Sequence, residues 1–228
     1  DYKIKIWSLA LSKEMRTLTG HFGTINSLAV DPHGMYLVSG GDDHKIKVWD
    51  MRSGLTLYTI SENLTRIFSV AISPNGKIFA SGGEEGNIKI WDLASGRLIR
   101  TLTGGHRYSV QSLIFTPNGK NIASSSWREI KVWDISSGGI TRTLTGNEVS
   151  GLAFNANGTI LASGGGYLHK SIKIWNLNSG KLLHEMAGHE GAVSTVSFSK
   201  DGKSLVSGSD DFTVKFWDVP SGKEKFVE

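Results

Sequence analysis

Polar and apolar residues alternate along this chain in short runs. In Lys45-Ile46-Lys47-Val48-Trp49, Ile46 and Val48 fall on one face of an extended segment and Trp49 on the other. Residues 25–30, 35–39 and 55–60 read as strands on either side of it. The connections carry turn chemistry. Asp31-Pro32-His33-Gly34 combines a proline that pre-sets φ with a glycine that tolerates φ > 0. A polar Gly41-Asp42-Asp43 turn follows, and then Asp50-Met51-Arg52-Ser53-Gly54. Four short strands with a turn signal about every 10 residues predict all-β structure. No stretch has helical periodicity with caps.

The unit recurs. Tryptophans stand at Trp7, Trp49, Trp91, Trp133, Trp175 and Trp217, each 42 residues after the last, and all but Trp7 are followed by Asp or Asn. A fixed period of this size marks a repeat architecture. The first turn returns at 73–76, 116–119, 155–158 and 199–202, and the third at 92–96, 134–138, 176–180 and 218–222. Length varies at one end of the strands. Gly105 is an extra residue before His106, offset by a shorter turn at Ser126-Trp127-Arg128. The loop at Asn147-Glu148 is two residues short, offset by the longer 165–170. Sheets this thin, apolar on both faces, need a neighbour on each side, which radial stacking supplies.

The Gly-His pair, the Ser-Gly-Gly/Ser-Asp-Asp turn and the Trp-Asp pair together resemble the WD40 family over the whole chain. The resemblance implies a β-propeller of four-stranded antiparallel blades, a single region spanning residues 1–228. Residues 1–20 read as the last two strands of a partial blade. The units 21–62, 63–104, 105–146, 147–188 and 189–228 follow. Two strands and five units of four give about 5.5 blades. That count reads as a piece or an incomplete version of a larger ring, seven blades being common in the family, closed by missing chain or another subunit.

The family also implies a buried hydrogen-bonded network within a unit. Two units carry the full set: His21, Ser39, Asp43 and Trp49, then His189, Ser207, Asp211 and Trp217. The third unit has Asn63 and Glu85, and the fifth Asn147 and His169. The fourth keeps His106 and Ser124 but has Trp127 at the Asp place. Turns in those three units are expected to be held less firmly.

Composition narrows the functional classes. The chain has 228 residues, 28 glycines, no cysteine and a net charge of +4. Disulfides and thiolate metal sites are excluded, and the lack of cysteine fits a cytoplasmic protein. No apolar run reaches the roughly 18 residues of a membrane helix. The mild charge has no basic block, so nucleic acid is a poor partner. His21, Ser39 and Asp43 match the parts of a hydrolase triad, but a set repeated with Trp at a fixed offset reads as structure. The glycines of 81–86 and 164–166 lack the Lys-Ser/Thr and the helix of a phosphate loop. The histidines show no zinc spacing, so neither a metal nor a cofactor is expected. Lysines also recur every 42 residues from Lys5 to Lys215, read as stems along blade faces with ammonium groups reaching water.

The variable loop end carries the functional signal. The resemblance places the loops before the first strand and after the second on one face. The residues there are Phe22, Thr24, Arg66, Arg107, Tyr108, Trp127, Arg128, Tyr167, Leu168 and Phe212. Aromatic and Arg side chains are enriched at interaction hot spots. The competing reading is packing on neighbouring loops, with Trp127, at a network position, buried. The expected function is a non-catalytic protein- or peptide-interaction scaffold. The alternative is a ligand-binding or regulatory domain of a larger multidomain enzyme or signalling protein. Nucleic-acid binding ranks third.

Overall fold

The computed structural model of the chain describes residues 1–61, 65–145 and 149–225. The first sheet pairs β1 (Ile4–Ser8) with β2 (Lys13–Leu18). The second contains β3 (Ile25–Val30), β4 (Tyr36–Gly41), β5 (Ile46–Asp50) and β6 (Thr56–Ile60). The third contains β7 (Ile67–Ile72), β8 (Ile78–Gly83), β9 (Ile88–Asp92) and β10 (Leu98–Leu102). The fourth is β11 (Ser112–Phe115), β12 (Asn121–Ser126), β13 (Glu129–Asp134) and β14 (Ile140–Thr145). The fifth is β15 (Val149–Phe154), β16 (Ile160–Gly165), β17 (Ile172–Asn176) and β18 (Leu182–Met186). The sixth is β19 (Val193–Phe198), β20 (Ser204–Ser209), β21 (Val214–Asp218) and β22 (Lys223–Lys225). Neighbouring strands are antiparallel and follow chain order, which is the all-β array the alternation predicts.

The turns follow from their residues. Gly34 has φ +68°, and its N–H donates to the Asp31 carbonyl at 2.9 Å, closing the first turn. The Asp of each Trp-Asp pair caps the third turn. Asp134 accepts hydrogen bonds from the Ser136 hydroxyl, the Ser137 N–H and the Ser137 hydroxyl, which pull its pKa down to about 2. Ser8, which departs from Trp-Asp, still caps, accepting the Leu11 N–H at 3.2 Å. Ser12 there takes φ +48° without a glycine.

Five buried clusters hold the array together, each formed between two successive sheets. Ile46 and Val48 pack forward on Ile67, Val70 and Trp91 of the third sheet. Trp49 packs backward on Ile4 and Leu18 of the first. The first strands of successive sheets touch, β3 with β7, β7 with β11, β11 with β15 and β15 with β19, so they line the axis. Polar side chains stitch them: the Ser27 hydroxyl accepts the Val70 N–H, and the Ser69 hydroxyl accepts the Leu113 N–H, both at 3.0 Å. Close approach explains the strand glycines. A Cβ on Gly40 would stand 2.5 Å from Ile67 Cγ2.

Among the described residues no sixth cluster joins the sixth sheet to the first, so the array is an unclosed propeller. The two end faces are open. Trp7 is 56 % exposed while its five counterparts are buried, and Val214 is 64 % exposed where Ile46, Ile88, Ile130 and Ile172 are fully buried. No helix among the described residues is long and apolar enough to cross a membrane.

Candidate interaction face and the buried histidine networks

Chain direction sets the site. The segment entering each first strand and the turn between second and third strands lie at the same edge of a sheet. Backbone bonds tie them: Asp42 N–H to Thr24 C=O at 2.8 Å, Glu84 N–H to Arg66 C=O at 3.1 Å, and Asp210 N–H to Ala192 C=O at 2.9 Å.

Beneath this edge lie the histidine networks. Trp49 Nε1–H donates to Ser39 Oγ at 2.8 Å, and Ser39 Oγ lies 2.7 Å from His21 Nε2. His21 Nδ1 lies 2.8 Å from Asp43 Oδ2. A carboxylate can only accept, so Nδ1 carries the proton; in the neutral ring Nε2 then accepts and the serine hydroxyl donates to it. The sixth sheet repeats the arrangement through Trp217, Ser207, His189 and Asp211 at the same three distances. Burial works against the charge on Asp43, but the Phe22 N–H and the His21 ring outweigh it and hold its pKa below the ordinary value. The pKa of Asp211 is likewise lowered: burial opposes, and the Thr213 hydroxyl, the Glu190 N–H and His189 prevail.

The fourth sheet corrects the sequence reading. Trp127 does not occupy the carboxylate position and is not buried; it is 42 % exposed. Glu129, the first residue of β13, lies with Oε1 3.1 Å from His106 Nδ1. His106 Nε2 is 2.6 Å from Ser124 Oγ, which accepts Trp133 Nε1–H at 2.8 Å. The longer Glu side chain reaches back from two positions beyond Trp127. Burial lowers the His106 pKa, and Glu129 opposes this only in part. In the third and fifth sheets Trp91 and Trp175 still donate to Ser81 and Ser163, at 2.8 and 3.2 Å. Asn63 and Asn147 lie outside the described residues.

These shifts give stability a pH dependence. Asp43 and Asp211 have depressed folded pKa values. They stabilise the fold above the unfolded value of about 3.9, and that contribution is lost as pH falls through the folded values. His106 is held neutral. Below its unfolded pKa of about 6.5 the unfolded chain binds a proton that the fold resists, so stability again falls with pH. Urea midpoints should therefore drop first as pH falls below about 6.5 and again as it falls below about 3.9. Asp211→Ala should lower the melting temperature at pH 7 and flatten the acid stage. A melting temperature unchanged by Asp211→Ala would remove the network from the account.

The recurring lysines are mostly paired. Lys5 meets Glu14, Lys89 Glu85, Lys131 Glu129, Lys173 Glu185 and Lys215 Glu224 within 4.0 Å. Lys47 instead donates to the Thr59 hydroxyl at 2.9 Å beside the Trp49 ring, and burial lowers its pKa. The stripe is largely self-neutralised.

All ten loop residues singled out above are exposed. Five of them meet. Tyr108 and Trp127 pack edge to face with centroids 5.1 Å apart, Arg128 stacks 4.9 Å from the Trp127 ring centre, and Arg107 lies 5.9 Å from that of Tyr108. Tyr167 joins Tyr108 and Trp127 around a cleft of about 330 Å³ between the fourth and fifth sheets. Three of the others lie on other sheets. Arg66 faces Glu84 at 3.8 Å, Lys45 lies 5.3 Å from the Phe22 ring centre, and Phe212 projects from the sixth sheet.

Ser109, Gln111, Val149, Ser150 and Gly166 also line the cleft and escaped the sequence reading. The available signals were Ser125 and Ser126, which stand where other units have Gly-Gly or Gly-Ser, and the entry to β15, two residues shorter than that to β3. Both serine hydroxyls are buried and have no hydrogen-bond partner among the described residues. No group of three or more His, Asp or Glu among those residues is placed to hold a metal.

Comparison with known families matches the repeat directly. Residues 12–50, 54–92, 96–134, 138–176 and 180–218 each match WD40, the WD domain, G-beta repeat. Each match takes the last strand of one sheet and the first three of the next, so a sequence repeat straddles two sheets. No curated protein matches the chain. With five matches covering most of its length and the Trp-Ser-His-carboxylate geometry beneath its loop edge, this chain belongs to the WD40 family.

Proposed function

We propose that the chain is a non-catalytic scaffold whose loop face binds a protein or peptide. WD40 repeats generally mediate protein–protein interaction, and binding residues on loops over a rigid scaffold are a common arrangement. One observation supports the reading most. Phe212 is 100 % exposed and held at φ +65°, a conformation costly for a bulky side chain, at the position where the third unit has Gly86. The turn itself sets that φ, since His44 and Gly86 at the same repeat position share it, so it is the exposure of the aromatic tip that fits a contact made with something else. Arg66, Arg107, Tyr108, Trp127, Arg128, Tyr167 and Leu168 extend that surface, with Phe22 and Thr24 beside them.

The test is recovery of partners by wild type and by the Arg66→Glu/Arg128→Glu double variant, with folding checked by circular dichroism. The double variant should lose recovery of specific partners. Equal recovery would remove this face from consideration.

A further inference from the structure

The cleft between the fourth and fifth sheets has a chemistry that narrows the partner, if the loop-face reading above holds. Its lining combines Tyr108, Trp127, Tyr167 and Val149 with the polar Ser109, Gln111 and Ser150. A volume of about 330 Å³ is at the low end of ligand pockets and suits one side chain of a bound segment. Its rim is cationic. Arg128 and Arg107 rest near ring faces, and among the described residues neither has an acidic partner. A guanidinium laid on an aromatic face keeps its in-plane N–H groups free to grip a carboxylate in bidentate fashion.

Among the described residues the neighbouring acids are committed. Glu129 serves His106 and Lys131. Asp210, in the turn of the sixth sheet, accepts the Ser194 hydroxyl and is hydrogen-bonded to Tyr167, whose pKa it raises. A cationic guest would meet two arginines already on the rings, so an ammonium ligand is disfavoured by like charge.

We propose that this cleft reads acidic peptide segments. One apolar or aromatic side chain enters between Tyr108, Trp127 and Tyr167, and flanking Asp or Glu carboxylates pair with Arg107 and Arg128. The apolar residue supplies buried area, and the acids supply orientation and on-rate.

Fluorescence anisotropy tests this with three labelled peptides: Gly-Glu-Asp-Phe-Glu-Asp-Gly, its Phe→Ala form, and its form with Lys at all four acidic positions. Wild type should bind the first and lose about tenfold or more in affinity for each of the others. Arg107→Glu/Arg128→Glu and Trp127→Ala, all exposed positions, should each weaken the first peptide by a similar factor, while Arg66→Glu, away from the cleft, should not. Raising salt should weaken the acidic peptide. Equal binding of the acidic and lysine peptides, or no binding of the first by wild type, would overturn the proposal. Binding that survives the cleft variants but falls with Arg66→Glu or Phe212→Ala would overturn it too, and would leave the loop-face scaffold standing.

Discussion

Replacing Trp49 with Ala is expected to cost about 3–5 kcal/mol of unfolding free energy, while the same change at Trp7 costs about 0.5 kcal/mol or less. The two residues occupy equivalent repeat positions 42 apart, and each follows the same apolar alternation. Their surroundings differ. Trp49 is 1 % exposed, packs with Ile4, Leu18 and Leu37, and donates its indole N–H to Ser39. Truncation would open a cavity in the cluster joining the first two sheets and strand a serine acceptor. Trp7 lies on the open face of the first sheet, with Lys5 near its ring. The melting temperature should fall on the order of 10 °C for Trp49→Ala and little for Trp7→Ala. Equal losses would mean that the Trp7 face is covered in solution, and the description of an unclosed array would fail.

This contrast shows what periodicity carries and what it does not. The repeat spacing places a tryptophan on the backward face of every third strand, because side-chain direction depends only on strand phase. Whether a neighbouring sheet waits there is a property of the assembly, and local pattern is blind to it. The strands, the Gly-closed turns and the forward and backward faces were legible for the same reason: each rests on a few adjacent residues.

The fourth unit shows the opposite case. Aligning by turn position puts Trp127 at the carboxylate place, since a shortened turn shifts the count by one. The structure is indifferent to count. It needs a carboxylate oxygen near His106 Nδ1, and Glu129 provides one from the next strand with its extra methylene. Of the expected interaction residues, Tyr108, Trp127 and Tyr167 converge on the cleft, with Arg107 and Arg128 against the Tyr108 and Trp127 rings, because two adjacent sheets present their altered loops to each other. That requires the lengths of two loops from different repeats to be read jointly. Arg66 was legible as an exposed cation, but Glu84 beside it is visible only once the turn is folded.

The second large effect separates the histidine's contribution from the tryptophan's. Ser39 and Ser81 both accept a tryptophan N–H at 2.8 Å, and both are buried. Ser39 also donates to His21 Nε2 at 2.7 Å, whereas among the described residues Ser81 has the Trp91 bond alone. Ser→Ala at either site leaves an indole N–H without its acceptor, which costs about 1–3 kcal/mol. At Ser39 it also orphans the ring nitrogen of a buried histidine, a second cost of about the same size. The imidazole is then fixed only through Asp43, and the chain of donors that polarise one another is cut at its middle. Ser39→Ala should therefore lower unfolding free energy by at least about 1 kcal/mol more than Ser81→Ala. The surplus should vanish in a His21→Phe background, where no ring nitrogen remains to be satisfied. A surplus that persists there would show that Ser39 acts through packing, and the hydrogen-bond network would lose its place as the brace beneath the loop face.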